Sequence, residues 1–215
     1  MSDDGHVSDL AELTTAWARG WAVSRGRPSP VAVPGGWRIT VDRPRKISRY
    51  VVAAGDWPAA AVLGRELTVP GTEIKIAGAA ACLRRALSPE WSMYDPHHLM
   101  TVAFTRGGAE VPPSYTARIA RDGAALLGSI HDRAGDIASS ARLAASGRYG
   151  VIDRVRTRPA DQRRGLGRAV MTVLGNRALA DGLTTGLLSA TADGRALYSA
   201  LGWGVRGELA GAFRS

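Results

Sequence analysis

The chain has a single cysteine, two lysines (Lys46 and Lys75) and two phenylalanines in 215 residues. One thiol, Cys82, cannot close an intrachain disulfide, so a disulfide-stapled scaffold is excluded. No apolar stretch approaches the roughly 20 residues that a bilayer-spanning helix needs; runs such as Ala59–Leu63 and Ala79–Leu83 are far too short. The first 30 residues lack an apolar signal core, and Asp3, Asp4 and Asp9 stand where a basic region is expected. A cytoplasmic protein with no membrane contact is the expectation.

The shortage of lysine makes the net charge of +9 almost entirely guanidinium. Such an excess favours anionic partners, although arginines spread over a solvated surface give the same count. The stretch Arg142–Arg168 is denser: Arg142, Arg148, Arg154, Arg156, Arg158, Arg163, Arg164 and Arg168 face only Asp153 and Asp161. That local field suits a phosphate-rich ligand. Few aromatics interleave with these arginines, so a stacking platform for single-stranded nucleic acid is not expected. With 45% hydrophobic and 22% charged residues there is ample material for a core, and disorder is excluded.

Periodicity predicts a helix over Asp9–Arg25, with Leu10, Leu13, Trp17 and Trp21 on one stripe and Asp9 and Glu12 as a capping box. Arg27–Gly36 reads as a Pro/Gly-rich connector. Strands are expected at Trp37–Val41, Arg49–Ala53, Glu73–Ala77 and Leu99–Thr105, and helices at Trp57–Leu67 (capped by Asp56) and Ala79–Leu87. Further along come the hairpin strands Tyr115–Arg121 and Ala124–His131, then a second pair, Asp136–Ala144 and Tyr149–Thr157. A helix at Arg168–Ala180, a strand at Thr185–Thr191, a helix at Arg195–Leu201 capped by Asp193 and a strand within Trp203–Phe213 complete the series. No internal repeat is visible. The expected fold is α/β (α+β): a mixed central sheet flanked by helices, with an N-terminal helical extension. Three segments are expected: 1–36 as helix and connector, 37–114 as a variable or degenerate half, and 115–215 as the core.

The chemically informative stretch is Val155–Arg168. A strand ends, a polar loop follows, and a helix opens at Gly165-Leu166-Gly167. The first N–H groups of a helix have no partner within it, and the helix dipole adds positive potential there. Glycines let a pyrophosphate approach those amides, which makes an anion site. No Lys-Ser/Thr follows, against a P-loop hydrolase, and no third glycine follows at dinucleotide spacing.

Gln162-Arg163-Arg164-Gly165-Leu166-Gly167 resembles the Q/R-x-x-G-x-G/A motif of the GNAT N-acetyltransferase superfamily. Ala196-Leu197-Tyr198-x-x-Leu201-Gly202-Trp203 is similar to a second signature of that family. The resemblance is concentrated in Tyr149–Trp203 and extends more loosely over Tyr115–Ala145. The tail after Trp203 is short for the family's closing pair of strands. The resemblance implies acetyl transfer from acetyl-CoA to a primary amine of a small molecule or a protein, by direct attack in a ternary complex, with a non-catalytic acyl-CoA-binding regulatory module as the alternative. It implies that Val155, Arg156 and Thr157 pair with the pantetheine arm, that Arg163, Arg164, Gly165, Leu166, Gly167 and Arg168 hold the pyrophosphate, and that no metal takes part. A homodimer is compatible with it.

Acetyl transfer needs a neutral amine, an oxyanion donor and an acid for the departing thiolate. The resemblance assigns the acid to Tyr198; packing between helix and sheet is the bland alternative. Asp153 is the candidate base, with an ion pair to Arg118 or to the neighbours of Arg154 weighed equally against it. Glu90, Asp95, Glu110, His97, His98 and His131 stay open as bases from the acceptor side. Cys82 is expected to face the core.

Overall fold

A computed structural model describes residues 3–215 of the chain. Helix α1 (Asp3–Ser24) is followed by strands β1 (Val31–Val33), β2 (Gly36–Arg43) and β3 (Lys46–Val52), helix α2 (Trp57–Glu66), strand β4 (Thr72–Ala77), helix α3 (Ala80–Ala86) and strands β5 (Trp91–Met93) and β6 (His97–Ala103). Strands β7 (Thr116–Asp122), β8 (Ala125–His131), β9 (Ile137–Ser146) and β10 (Tyr149–Thr157) come next. Helix α4 (Leu166–Ala180), strand β11 (Thr185–Ala190), helix α5 (Ala192–Ser199) and strand β12 (Gly204–Arg214) complete it.

The strands join in one mixed sheet of order β1-β2-β3-β4-β12-β6-β11-β10-β9-β8-β7, with β5 paired to β12. The order is palindromic about its centre. Outward from β12 run β4, β3 and β2; outward from β6 run β11, β10 and β9. The directions match as well: β3 is parallel to β4 as β10 is to β11, and every other pair in these two arms is antiparallel. Each half is therefore a β-β-α-β-α-β unit whose closing strand crosses into the other half. This repeat was invisible in the sequence because it lives in topology. It also explains the short tail: β12 supplies one closing strand, and β6, from the N-terminal half, supplies the strand beside β11.

Alternation along the central strands divides the core between the two faces of the sheet. Val51, Leu99, Val151, Leu187 and Leu209 pack on one face against Leu13, Trp17 and Trp21 of α1. Their neighbours face the other way. Val52 and Ala210 join the cluster around α2 and α3, and Met100, Ile152 and Leu188 join the cluster around α4. The two-tryptophan stripe of α1 is thus spent on the sheet itself, spanning both halves.

Some local expectations are corrected. The helix starts at Asp3, so Asp9 and Glu12 lie inside α1, where Glu12 accepts from the Tyr149 hydroxyl at 2.8 Å. The cap of α5 is Thr191, whose hydroxyl accepts from the Gly194 amide at 3.2 Å, and Asp193 sits in the first turn. Cys82 is half-exposed rather than in the core, with Arg85 donating to its sulfur at 3.1 Å. Strands β1 and β5 were not foreseen; each is only three residues long.

At Gly20, α1 comes against β10 so closely that a Cβ would lie 2.4 Å from the Val151 Cβ, which the strand backbone fixes. Alanine gains about 1 kcal/mol of helix propensity over glycine, but overpacking of about 1–3 kcal/mol opposes it. Gly20→Ala is therefore expected to lower stability on balance, read as a lower urea midpoint at unchanged m-value.

Candidate functional site

Strands β10 and β11 pair for only three residues, Tyr149–Val151 with Thr185–Leu187. Past that point β11 stays with β6 up to Ala190, and β10 stays with β9, so the parallel strands part. The departure coincides with a bulge between Asp153 and Arg156, where Arg154 takes the left-handed φ of +55°. The bulge breaks the simple alternation: Val151 packs with α1, whereas Val155 packs with the α4 cluster. The equivalent strands of the other half, β3 and β4, stay paired from Ser48 to Val52 with no gap.

The helix starts differ in the same sense. At α2 the Asp56 carboxylate caps the chain by accepting from the Ala59 amide at 3.0 Å, and Pro58 removes another N–H. That end already carries its own anion. At α4 no side chain caps the helix. Gly165 occupies the left-handed region at φ +76°, and a Cβ there would meet nothing within 4 Å. The amides opening α4 are left for an external partner.

A cavity of about 790 Å³ lies between β10, α4 and α5. Of the residues singled out in the sequence, Asp153, Val155, Arg156, Thr157, Arg163, Gly165, Leu166, Gly167, Arg168 and Tyr198 all line it. Arg164 does not; its guanidinium donates to the Tyr115 hydroxyl at 3.0 Å. The dense arginine segment is thus split, since Arg142 and Arg158 are also engaged within the fold, with Ser24 and Asp122 and with Asp132 and Asp161 respectively.

Tyr198 reaches the cavity from α5 and packs against Trp203 with ring centroids 6.1 Å apart. Its hydroxyl has no hydrogen bond among the described residues. Burial, helped by the charge of Asp153, pushes the phenol up to about 12. Asp153 is held in an ion pair. It accepts from the Arg25 guanidinium at Nε and, at 2.9 Å, at Nη2, and from the Ser24 hydroxyl at 2.9 Å. Burial would raise its carboxyl, but the Arg25 and Ser24 hydrogen bonds outweigh this and keep it below the usual value.

A second cavity, of about 380 Å³, opens on the α1 face of the sheet and shares Arg25, Asp153 and Ser189 with the first. The two meet where β10 and β11 part. Its far wall comes from the N-terminal half. There Glu73 accepts from Arg49 at 3.0 and 2.8 Å, from Lys46 at 2.7 Å and from the Tyr94 hydroxyl. Burial opposes ionisation of Glu73, but the Arg49 charge and these donors hold it at about 2. Of the histidines and carboxylates considered as bases, only His97 and Asp153 line this cavity. His97 Nδ1 lies 3.0 Å from the Ser189 hydroxyl, and burial, with nearby Lys75 and Arg49, lowers the imidazole to about 4, so it is neutral at pH 7. Lys75, Glu73 and Arg49 were not singled out in the sequence. Charged residues in the middle of otherwise apolar strands, as in Thr72–Ala77, were the available signal.

No protein-family model matches the chain, and no curated protein sequence matches it significantly. Solved structures do match. A GCN5-related N-acetyltransferase from Kribbella flavida aligns with a TM-score of 0.70 at 15% identity, covering 95% of each chain. A GCN5-related N-acetyltransferase-like protein from Streptococcus suis gives 0.60 at 14% identity, over 98% of this chain and 99% of that one. A tandem GNAT protein from the clavulanic acid biosynthesis pathway gives 0.55 at 12% identity, over 98% and 95%. The chain has the GNAT fold, as its motifs implied. Among the described residues no cluster of metal-ligating side chains occurs, and no helix is long and apolar enough to cross a membrane.

Burial, then the positive charge of Arg49, lowers Lys75 to about 8 from the ordinary 10.5. Between those values the unfolded chain binds a proton that the folded chain does not, so this group adds stability as pH rises through about 8 to 10.5. At pH 7 the charge is buried at a cost. Lys75→Met is expected to stabilise the protein by about 1–3 kcal/mol at pH 7, with the gain shrinking above pH 8 in thermal melts taken across that range.

Proposed function

We propose that the chain is an N-acyltransferase that moves an acetyl group from acetyl-CoA to a primary amine bound in the smaller cavity. The observation that carries this reading is the pairing of the parted strands with the uncapped glycine start of α4, present in one half and absent from the other. The residues fit the coenzyme. The open turn at Gly165 leaves room for a pyrophosphate against free amides. The edge of β10 at Val155, Arg156 and Thr157, freed from β11, offers backbone groups to an extended pantetheine arm. Arg163 and Arg168 add charge at the cavity wall. When bound, acetyl-CoA supplies the activated acyl carbon.

On this reading the acyl carbon sits where the two cavities join. The amine nitrogen bonds to that carbon and the carbon–sulfur bond breaks. A backbone N–H on the free edge of β10 serves as the oxyanion donor. The Tyr198 hydroxyl gives its proton to the sulfur, a role that a phenol held at about 12 keeps at every physiological pH. The amine reacts as its free base, its ammonium proton lost to solvent before attack; once bonded to carbon the nitrogen is strongly acidic, and even a weakly basic neutral imidazole accepts its proton and passes it to solvent. His97 is assigned that transfer, with solvent returning a proton to Tyr198. Asp153 is assigned a positioning role, fixing Arg25 at the junction. A cytoplasmic setting goes with this use of acetyl-CoA.

Purified protein given acetyl-CoA and a broad amine panel should release free thiol. Tyr198→Phe should lower kcat roughly 100-fold with coenzyme affinity unchanged, and Gly165→Val should abolish coenzyme binding measured by calorimetry. Coenzyme binding without turnover of any amine would favour an acyl-CoA-binding module instead. Absence of both would overturn the reading.

A further inference from the structure

The smaller cavity is strongly and unevenly charged. Arg25, Arg27, Arg43, Lys46, Arg49 and Lys75 line it against two carboxylates, Glu73 and Asp153. Both carboxylates are already occupied, Asp153 by Arg25 and Glu73 by Arg49 and Lys46. The positive charge left over has no counterion among the described residues.

Lys75 is the extreme case. It is 5% exposed, and its ammonium has neither an ion pair nor a hydrogen bond among the described residues. The Tyr94 ring lies 4.7 Å away, and the side chain lies over Gly211 of β12, where a Cβ would come within 2.5 Å of Nζ. The group is thus seated by its neighbours, largely buried and without an ion pair, in the lining of a cavity that joins the coenzyme cleft. A second observation points the same way. Arg27 Nε, in the same wall, is buried without a partner. A buried unpaired cation is costly, and an oxyanion is the ligand that relieves the cost. Trp17, Trp21 and Ile152 add apolar surface to the lining, and the volume suits a small molecule rather than a protein segment.

We propose that the acceptor is a small amine that also carries an oxyanion group, a carboxylate or a phosphate-like group, and that Lys75 anchors that group while the amine points toward the junction at Ser189. This rests on the transferase reading for the amine, but the anion site can be tested separately. The charge balance also disfavours polyamines and lysine-rich peptides, which would place cations beside cations.

The probes are the common α-amino acids, a series of ω-amino acids and aminoalkylphosphonates, each beside the matching amine without its acid group. Binding is read by calorimetry in the presence of coenzyme A, and turnover by thiol release from acetyl-CoA. An acid-bearing amine should bind roughly 10–100-fold more tightly than its partner lacking the acid group, and the carboxylate and phosphonate arms identify which oxyanion is preferred. Lys75→Met, expected to be folded and more stable, should erase that preference while coenzyme affinity is unchanged. A panel in which no acid-bearing amine outbinds its partner, or a Lys75→Met protein that keeps the preference, overturns the proposal. Thiol release from amines without an acid group alone would overturn it while leaving the transferase reading intact. Selective binding with no thiol release from any amine would support the anion site and count against the transferase reading.

Discussion

The architecture of the site depends on where two parallel strands stop bonding. β10 and β11 share only three paired positions before the bulge at Asp153–Arg156 turns β10 away. A sheet normally satisfies its backbone groups sideways, so parting two interior strands leaves donors and acceptors that need another partner. Here the gap opens a route between the two faces of the sheet, with the larger cavity on the α4 side and the smaller on the α1 side. The left-handed turn at Arg154 maintains it, and burial together with the charges of Arg25, Arg43 and Arg142 depresses that arginine's own pKa.

The two halves repeat a topology but divide the tasks. In the N-terminal half the parallel pair stays closed and the helix start is filled by Asp56 and Pro58, so an incoming phosphate would meet a carboxylate. In exchange, that half contributes Arg49, Glu73, Lys75 and His97 to the wall of the smaller cavity. A charged network that costs stability is easiest to account for where it faces a ligand. Glu73 is well satisfied by three donor residues, whereas the Lys75 ammonium has no acceptor or ion-pair partner among the described residues, only the Tyr94 ring.

Much of the C-terminal half was legible because its signals are local. The glycines at 165 and 167, the alternation of Tyr149–Thr157 and the Leu-Tyr-x-x-Leu-Gly-Trp run each act within a few residues, and Gln162, Arg163, Gly165, Leu166, Gly167, Leu197, Tyr198 and Leu201 of the motifs line the larger cavity. Arg164 was grouped with its neighbours by sequence adjacency, but the turn at Arg163, with φ of +61°, sends it to Tyr115. The smaller cavity was largely illegible because it is assembled from residues far apart in the chain. Arg25 meets Asp153 across 128 positions, and nothing near either residue announces the other. The resemblance of one half to the other was hidden for a related reason: hydrogen-bond topology is shared where side chains are not.

The crossing of the closing strands has a consequence for assembly. β12 is needed to join β4 to β6, and β6 is needed to join β12 to β11, so neither half contains the neighbours its own sheet requires. A nascent chain stalled before Gly204 would expose the unpaired edges of β4 and β6 at what becomes the middle of the sheet, the kind of surface that aggregates or recruits chaperones. Productive folding must therefore wait for contacts distant in sequence, which favours slow, all-or-none closure over stepwise domain formation.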